Sequence, residues 1–508
     1  MKKYISSDFF PLYFIAAITL LIHLFAITHY DYFRDEFYYI ACSHHMDFGF
    51  VDHPPLADGI LWIIRNLLGE SLVAIRIVPI LLSCSLVVLA GALTREFGGT
   101  RFAMVLAGLG VATAPILLGT SADYSMNVFD QLFWFLAIYF FTRFINTEKK
   151  EYLIAVGIIF GFGLLTKHLI AFLIVGMGLG LLLTEQRKYF KKKWLWISLG
   201  IAFALFLPNV LWQIGNGFPN LEFARNATLY KNTETTFIGF LTGHILEANP
   251  PQVLLIIAAL WFFFITPPGK QFRIFGIAYV FVVVAFVFTN GKTYYIAPFL
   301  PVVFSAGAVH VGNIIELHRW KYLKPVLLIL PILTGLVILP MAIPILPVET
   351  FIQYNNTLGI QGPKNERHEM GPLPQHYADM FGWRELAANV AKVYASLPDS
   401  EKADCAIYTT NYGRAGAIDF FGQEYGLPKS ICGHNSYWLW GPGKSTGKTI
   451  IIVGGHLQDH VDDFESVYEA GQSDNPYSMP YERHIAIFVG HRLKLPIKKV
   501  WAETRHYD

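Results

Sequence analysis

The stretch RDEFYYIACSHHMDFGFVDHPPL, Arg34 to Leu56, gathers Asp35, Glu36, Asp47 and Asp52 with His44, His45 and His53 directly after the first long apolar run. A carboxylate here can take a proton from an attacking hydroxyl, and imidazoles beside carboxylates can hold a divalent ion. A solvated loop with His and Tyr at headgroup level is the plainer reading of the same residues. Three further segments bring matching chemistry. In GTSADYSMNVFDQLFW (119–134), Asp123 lies in a loop and Asp130 just inside the next apolar run. A carboxylate there costs a few kcal/mol unless it faces a polar cavity, and its alternative is an N-terminal helix acid favoured by the macrodipole. LLTKHL (164–169) sets Lys167 and His168 at the end of a helical hairpin, where a snorkelling lysine is the alternative. TNGKTYYIAPFLP (289–301) puts Lys292 beside Tyr294 and Tyr295, which a tight turn with interfacial tyrosines would also give.

The elements that must position these residues are membrane helices. Of 508 residues, 54% are hydrophobic and 15% charged, against roughly 25% charged in a soluble domain, and the mean hydropathy is +0.42. The 16% aromatic share fits interfacial Tyr and Trp belts. A net charge of +2 suggests no nucleic-acid partner. Apolar runs near 8–29, 72–94, 102–119, 128–145, 152–167, 169–184, 194–212, 252–267, 273–289, 295–314 and 325–346 predict about eleven spans. The 152–184 pair is interrupted by Lys167 and His168. The first run keeps His23 inside it and lacks a small-residue cleavage site, so an uncleaved anchor is expected.

The basic loops 95–101, 143–151, 185–193, 267–273 and 316–324 fall on one side when the N-terminus, with Lys2 and Lys3, is placed in the cytoplasm. The stretch after Arg34 then lies on the outer face, as does the C-terminal region. This predicts a membrane module over 1–346, with a first outer loop at about 30–71, and a periplasmic α/β domain over 347–508. Strand-like runs CAIYTT (405–410), TIIIVGG (449–455) and HIAIFVG (484–490) alternate there with the helical pattern WRELAANVAKVYASL (383–397). Asn411 reads as the cap of a following helix that stops at Gly426 and Pro428. Residues 355–375 read as a polar, Gly- and Pro-containing linker. Cys405 and Cys432 would be free to pair in an oxidising compartment, with two buried thiols as the equal alternative.

Together the outer segments offer carboxylates (Asp35, Glu36, Asp130) and cations (Arg34, Lys167, Lys292) where helices meet the headgroups. That set suits a reaction on a lipid-linked phosphate, in which cations stabilise the phosphate as it leaves. There is no Walker loop and no Rossmann glycine fingerprint, so no nucleotide is implied. No cofactor is required by this scheme. A divalent ion at His44, His45 and His53 is the rival reading, although adjacent histidines are not a specific ligand spacing.

DEFYY followed by DHPPL resembles the membrane glycosyltransferases of the protein mannosyltransferase group, family 39, related to the lipid A aminoarabinose transferases and having the GT-C fold. The similarity continues through DQLFW (130–134), GFGLLTKH (161–168), LPNVLWQIGNGFP (207–219), GKTYYIAPFLP (291–301) and NYGRAGAIDFFG (411–422). The resemblance implies transfer of a sugar from a polyprenyl phosphate, undecaprenyl in a bacterial inner membrane, usually with inversion and on the non-cytoplasmic face. It places the family's acid pair on Asp35 and Glu36, with Asp35 as the catalytic carboxylate. The second acid falls on Asp130 rather than Asp123, and a donor-phosphate lysine on Lys167. Many relatives have Lys-Pro-Pro where this chain has His53-Pro54-Pro55, so phosphate binding falls to His53, Arg34 or Lys292; Arg34 can instead hold Asp35. Tyr38, Tyr39, Tyr294 and Tyr295 are the expected substrate-binding aromatics. The acceptor is left open among lipid A, another envelope glycan or glycolipid, and protein. A transporter or flippase of a lipid-linked sugar is the alternative function. It would place charges at mid-membrane depth and show two matching halves, neither of which the sequence has.

Overall fold

A computed structural model describes residues 7–233, 236–359 and 367–508. Lys2 and Lys3, and most of the polar centre of the 355–375 segment, lie outside the described residues. The chain forms two compact units, one from residues 1–29, 68–212 and 234–351, the other from 30–67, 213–233 and 352–508. Residues 30–67 thus share a unit with the C-terminal region.

The first unit is helical. Each of the eleven apolar runs overlaps helix, the 102–119 run being broken at Ala114 into Arg101–Thr113 and Pro115–Gly119. Six helices among the described residues are long and apolar enough to cross a membrane: Leu72–Glu96, Met126–Thr147, Lys193–Gly215, Lys270–Phe288, Thr293–His318 and Leu323–Ala342. Two sharply bent pairs, Ile170–Leu182 with Glu185–Lys191 and Phe237–Glu247 with Pro250–Phe264, bring the number to eight if each is one span. Phe10–Ala26 and Arg101–Thr113 are shorter apolar helices. Between apolar helices there is little hydrophobic drive, so small residues set how closely they pack. A Cβ on Gly307 would collide with the Leu255 carbonyl oxygen, which fixes the approach of the Leu300–His318 and Val253–Phe264 helices. The helix Phe237–Glu247 was not foreseen, because Thr, Gly, His and Glu break its apolar run.

The second unit holds a five-stranded sheet: β1 (Cys405–Thr409), β2 (Ser430–Cys432), β3 (Thr449–Val453), β4 (Phe464–Ser473) and β5 (Ile485–Leu493). The order is β2-β1-β3-β5-β4. β2, β1 and β3 run parallel, and β5 and β4 are antiparallel to their neighbours. β3 is buried along its whole length, which is why its sequence is a continuous apolar run rather than an alternating one. The expected α/β character holds, and the 383–397 and Asn411-capped helices appear as Trp383–Ser396 and Tyr412–Phe421. Two strands were missed: β2 is only three residues long, and β4 is mostly polar on an edge.

Cys432 pairs in register with Thr409, whereas Cys405 starts β1 at the other end. Four residues along a strand separate them by roughly 13 Å, beyond disulfide reach, and both thiols are free.

Candidate functional site

The sequence candidates fall into two clusters, one in each unit. In the second unit, the Arg34–His44 helix begins at Phe33, and the Glu36 carboxylate accepts the Phe33 backbone N–H at 2.8 Å. This is the return half of a capping box, which satisfies a donor the helix leaves orphaned. Glu36 is fully buried, so the acid pair divides: Glu36 caps, and Asp35, 36% exposed at its side chain, faces outward.

Asp35 is held from the C-terminal part of the same unit. Tyr412 donates its hydroxyl to Asp35 Oδ1 at 2.8 Å. Arg34 lies beside it, with Nε 3.6 Å from Asp35 Oδ1, Nη2 3.7 Å from Asp379 Oδ2 and Nη1 donating to the Tyr481 hydroxyl at 2.8 Å. Burial raises the Tyr412 pKa, against the opposing Arg34 charge and with the help of Asp35, so the phenol stays a donor. Two glycines allow this closeness. A Cβ on Gly413 would stand 2.5 Å from Arg34 Cγ, and one on Gly416 2.7 Å from Phe37 Cβ. Asn411 accepts the Arg414 backbone N–H at 3.0 Å, capping the helix that carries Tyr412.

Tyr38 and Tyr39, expected against substrate, are instead buried. Tyr38 donates to Asp52 Oδ1 at 2.8 Å and accepts the Ser436 backbone N–H at 3.1 Å. Tyr39 packs its ring on His53, with centroids 4.9 Å apart. His53 is itself buried between two carboxylates, Nδ1 3.1 Å from Asp52 and Nε2 2.9 Å from Asp58. Burial disfavours its charge, but Asp58 and Asp52 outweigh this and hold its pKa well above the usual value. Burial pushes Asp58 up, while for Asp52 the attraction of His53 overcomes burial and lowers it. Neither imidazole nitrogen is turned to solvent. His44 is exposed beside Arg65, and His45 stacks on Trp440 at 4.1 Å. Neither belongs to a metal-compatible trio among the described residues; the trio containing His53 is Cys42, His53 and Asp58.

The cluster of the first unit is built around Lys167. The turn between the Lys150–Leu164 and Ile170–Leu182 helices carries it, and its Nζ donates to Asn127 Oδ1 at 2.8 Å. The ammonium sits over the Tyr295 and Tyr294 rings, 4.9 and 5.3 Å from their centroids. The two tyrosines belong to the Thr293–Phe299 3-10 helix, which Lys292 precedes as its cap residue. Asp130 is one helical turn beyond Asn127, buried, with Oδ1 lacking a hydrogen-bond partner. The structure therefore brings Lys167, Tyr294 and Tyr295 together and adds Asn127. It also adds Glu247, a buried acid that accepts the Thr293 hydroxyl and whose Oε2 has no partner. Sequence reasoning missed Glu247, although an acid ending an apolar helix (FIGFLTGHILE) was the available signal.

Residues 52–212 match the family described as dolichyl-phosphate-mannose-protein mannosyltransferase. Among curated proteins, the lipopolysaccharide core galacturonosyltransferase RgtB of Rhizobium johnstonii is 29% identical over 202 residues, 38% of this chain. The lipid A galacturonosyltransferase RgtD of the same organism is 27% identical over 190 residues, 36% of this chain. Each match spans 39% of the relative's own length. ArnT from Cupriavidus metallidurans bound to undecaprenyl phosphate superposes with a TM-score of 0.62, covering 94% of this chain and 97% of that one at 13% identity. Its apo structure gives 0.59. The chain thus has the GT-C fold, with multi-pass helices and an appended sheet, and its resemblance to the family-39 protein mannosyltransferase type is borne out.

Proposed function

We propose that this protein is a glycosyltransferase that moves a sugar from a polyprenyl phosphate to an envelope acceptor on the outer face of the membrane. The observation that carries the reading is the end-to-end fold correspondence with an undecaprenyl-phosphate-bound ArnT. It is supported by galacturonosyltransferases among the sequence relatives. Lipid A or the lipopolysaccharide core is the acceptor class these relatives favour, and undecaprenyl phosphate the carrier. The Asp35-bearing side is periplasmic and the N-terminus cytoplasmic in this scheme, as the basic loops require.

The acceptor oxygen attacks the anomeric carbon, the sugar–phosphate bond breaks, and the polyprenyl phosphate leaves with the bonding pair. Asp35 orients the acceptor and takes its proton late, as the attacking oxygen acidifies. Attack opposite the leaving phosphate inverts the anomeric centre. Within the first unit, Lys167, held over Tyr294 and Tyr295, is the cation suited to a donor phosphate, with Lys292 on the same segment as those tyrosines. Arg34 and Tyr412 hold Asp35, Glu36 caps its helix, and Asp130, buried one helical turn beyond Asn127, is the second acid, in the first unit's cluster. No divalent ion enters the transfer step. Transfer continues when EDTA is added at the start of the assay, whereas an immediate loss restored by one divalent ion would put a metal in the step.

The test is mass spectrometry of lipids from cells lacking the protein, complemented with wild type or Asp35→Asn. One sugar-linked polyprenyl phosphate accumulates in the deletion and the mutant, and disappears with wild type. Identical lipid profiles in all three strains would overturn the reading and direct the next assay to transport.

A further inference from the structure

Three side chains from three successive elements meet inside the second unit. Cys42 comes from the Arg34–His44 helix, His53 from the loop after it, and Asp58 from the first turn of the Leu56–Leu68 helix. All three are buried, and one ligand atom from each lies within 4.8 Å of the other two. His53 Nε2 is 2.9 Å from Asp58 Oδ2, while Asp58 Oδ1 is buried without a partner. A buried carboxylate with one oxygen unsatisfied is expensive unless something charged completes it.

We propose that Cys42, His53 and Asp58 form a zinc site, with Asp52 as the outer carboxylate that orients His53. Thiolate, imidazole and carboxylate together suit Zn²⁺ better than the hard-oxygen cations. Two anionic ligands and one neutral imidazole also leave a dipositive ion neutral overall, which a dry interior tolerates. The outer partner is within reach, although His53 Nδ1 is not hydrogen-bonded as it stands. His53 Nδ1 lies 3.1 Å from Asp52 Oδ1, and Tyr38 donates to that same oxygen at 2.8 Å. Metal-bound histidines characteristically donate their other ring N–H to a carboxylate held in this way. Uptake balances by protons: the ion displaces the Cys42 thiol proton and the proton that His53 Nε2 shares with Asp58. Cys42 lies seven residues after Asp35 on one helix, roughly 10 Å along the axis. The ion is therefore a clamp on the helix that carries Asp35, not a participant at it. The site does not depend on the transferase reading.

The test uses the full chain, purified in detergent with an affinity tag free of histidine, and elemental analysis by plasma mass spectrometry. Wild type carries or takes up about one zinc per chain. Cys42→Ser and Asp58→Asn lose it, and His44→Ala and His45→Ala keep it. Asp52→Asn weakens zinc affinity roughly 10- to 100-fold in a competition titration. Cobalt loaded into wild type shows a thiolate-to-metal charge-transfer band that Cys42→Ser abolishes. The wild-type readouts do not rely on any variant folding. Less than about a tenth of an equivalent after reconstitution with zinc, or cobalt binding without that band, would mean that His53 simply bridges two carboxylates and would overturn the proposal. Retention of the metal by Cys42→Ser would overturn it too.

Discussion

Asp35 and Glu36 are neighbours of the same chemical type, yet the structure gives them different work. Glu36 accepts a backbone N–H at its own helix start, and Asp35 accepts a phenol from 377 residues away. Asp35→Asn is therefore expected to abolish transfer with the protein folded, since the side chains are nearly the same size. Glu36→Gln, which preserves the capping acceptor, retains transfer, whereas Glu36→Ala lowers the unfolding free energy by about 1 kcal/mol. Parallel assays of turnover and thermal unfolding in detergent separate the two roles. Tyr412→Phe deletes one hydrogen bond to a charged group, a contact of about 1.5–3 kcal/mol. Turnover should fall roughly 10- to 100-fold with the acceptor KM little changed. A rise in KM without loss of kcat would show that Tyr412 touches the acceptor instead of positioning Asp35.

At the scale of elements, the Tyr412–Phe421 helix can lie against the Arg34–His44 helix because Gly413 and Gly416 present no side chains to Arg34 and Phe37. Gly416→Ala should overpack this contact, destabilising the protein by about 1–3 kcal/mol and reducing transfer out of proportion to the loss of fold. Leu, Ile or Val changes on the lipid-facing side of Leu323–Ala342 are the control for a generic packing effect. Much of this architecture was legible in the sequence. Apolar run length found the helices, and Asn411 announced its helix by cap chemistry. The 383–397 pattern and three of the five strands were also visible. What escaped had weak local signals: β2 is too short to show a period, β4 is a polar edge strand, and Phe237–Glu247 is interrupted by Gly and His. At the site, residue type was readable and direction was not. Tyr38, Tyr39 and His53 look like ligand-binding residues in the sequence because nothing there shows that all three are buried, Tyr38 in a core with Tyr412, Cys432 and Tyr437.

For the molecule as a whole, the second unit is assembled from three separate stretches of chain, 30–67, 213–233 and 352–508. One of its buried clusters joins Tyr38, Ala41, Cys42 and Phe50 to Tyr412, Ala415, Cys432 and Tyr437. A fragment of residues 347–508 alone would leave half of that cluster open to water. It should unfold without a sharp cooperative transition and be cut rapidly by protease. A fragment that melts cooperatively would show that residues 30–67 are not part of its core.

This threefold visit also sets the order in which Asp35 gains its surroundings. The Arg34–His44 helix is synthesised early, but the phenol that contacts Asp35 follows 377 residues later. At about 5–20 residues per second of translation, Asp35 waits on the order of 20–75 s for Tyr412. During that interval the growing chain carries Asp35 without the phenol that Tyr412 donates to it. Synthesis thus sets a delay before Asp35 has its full surroundings.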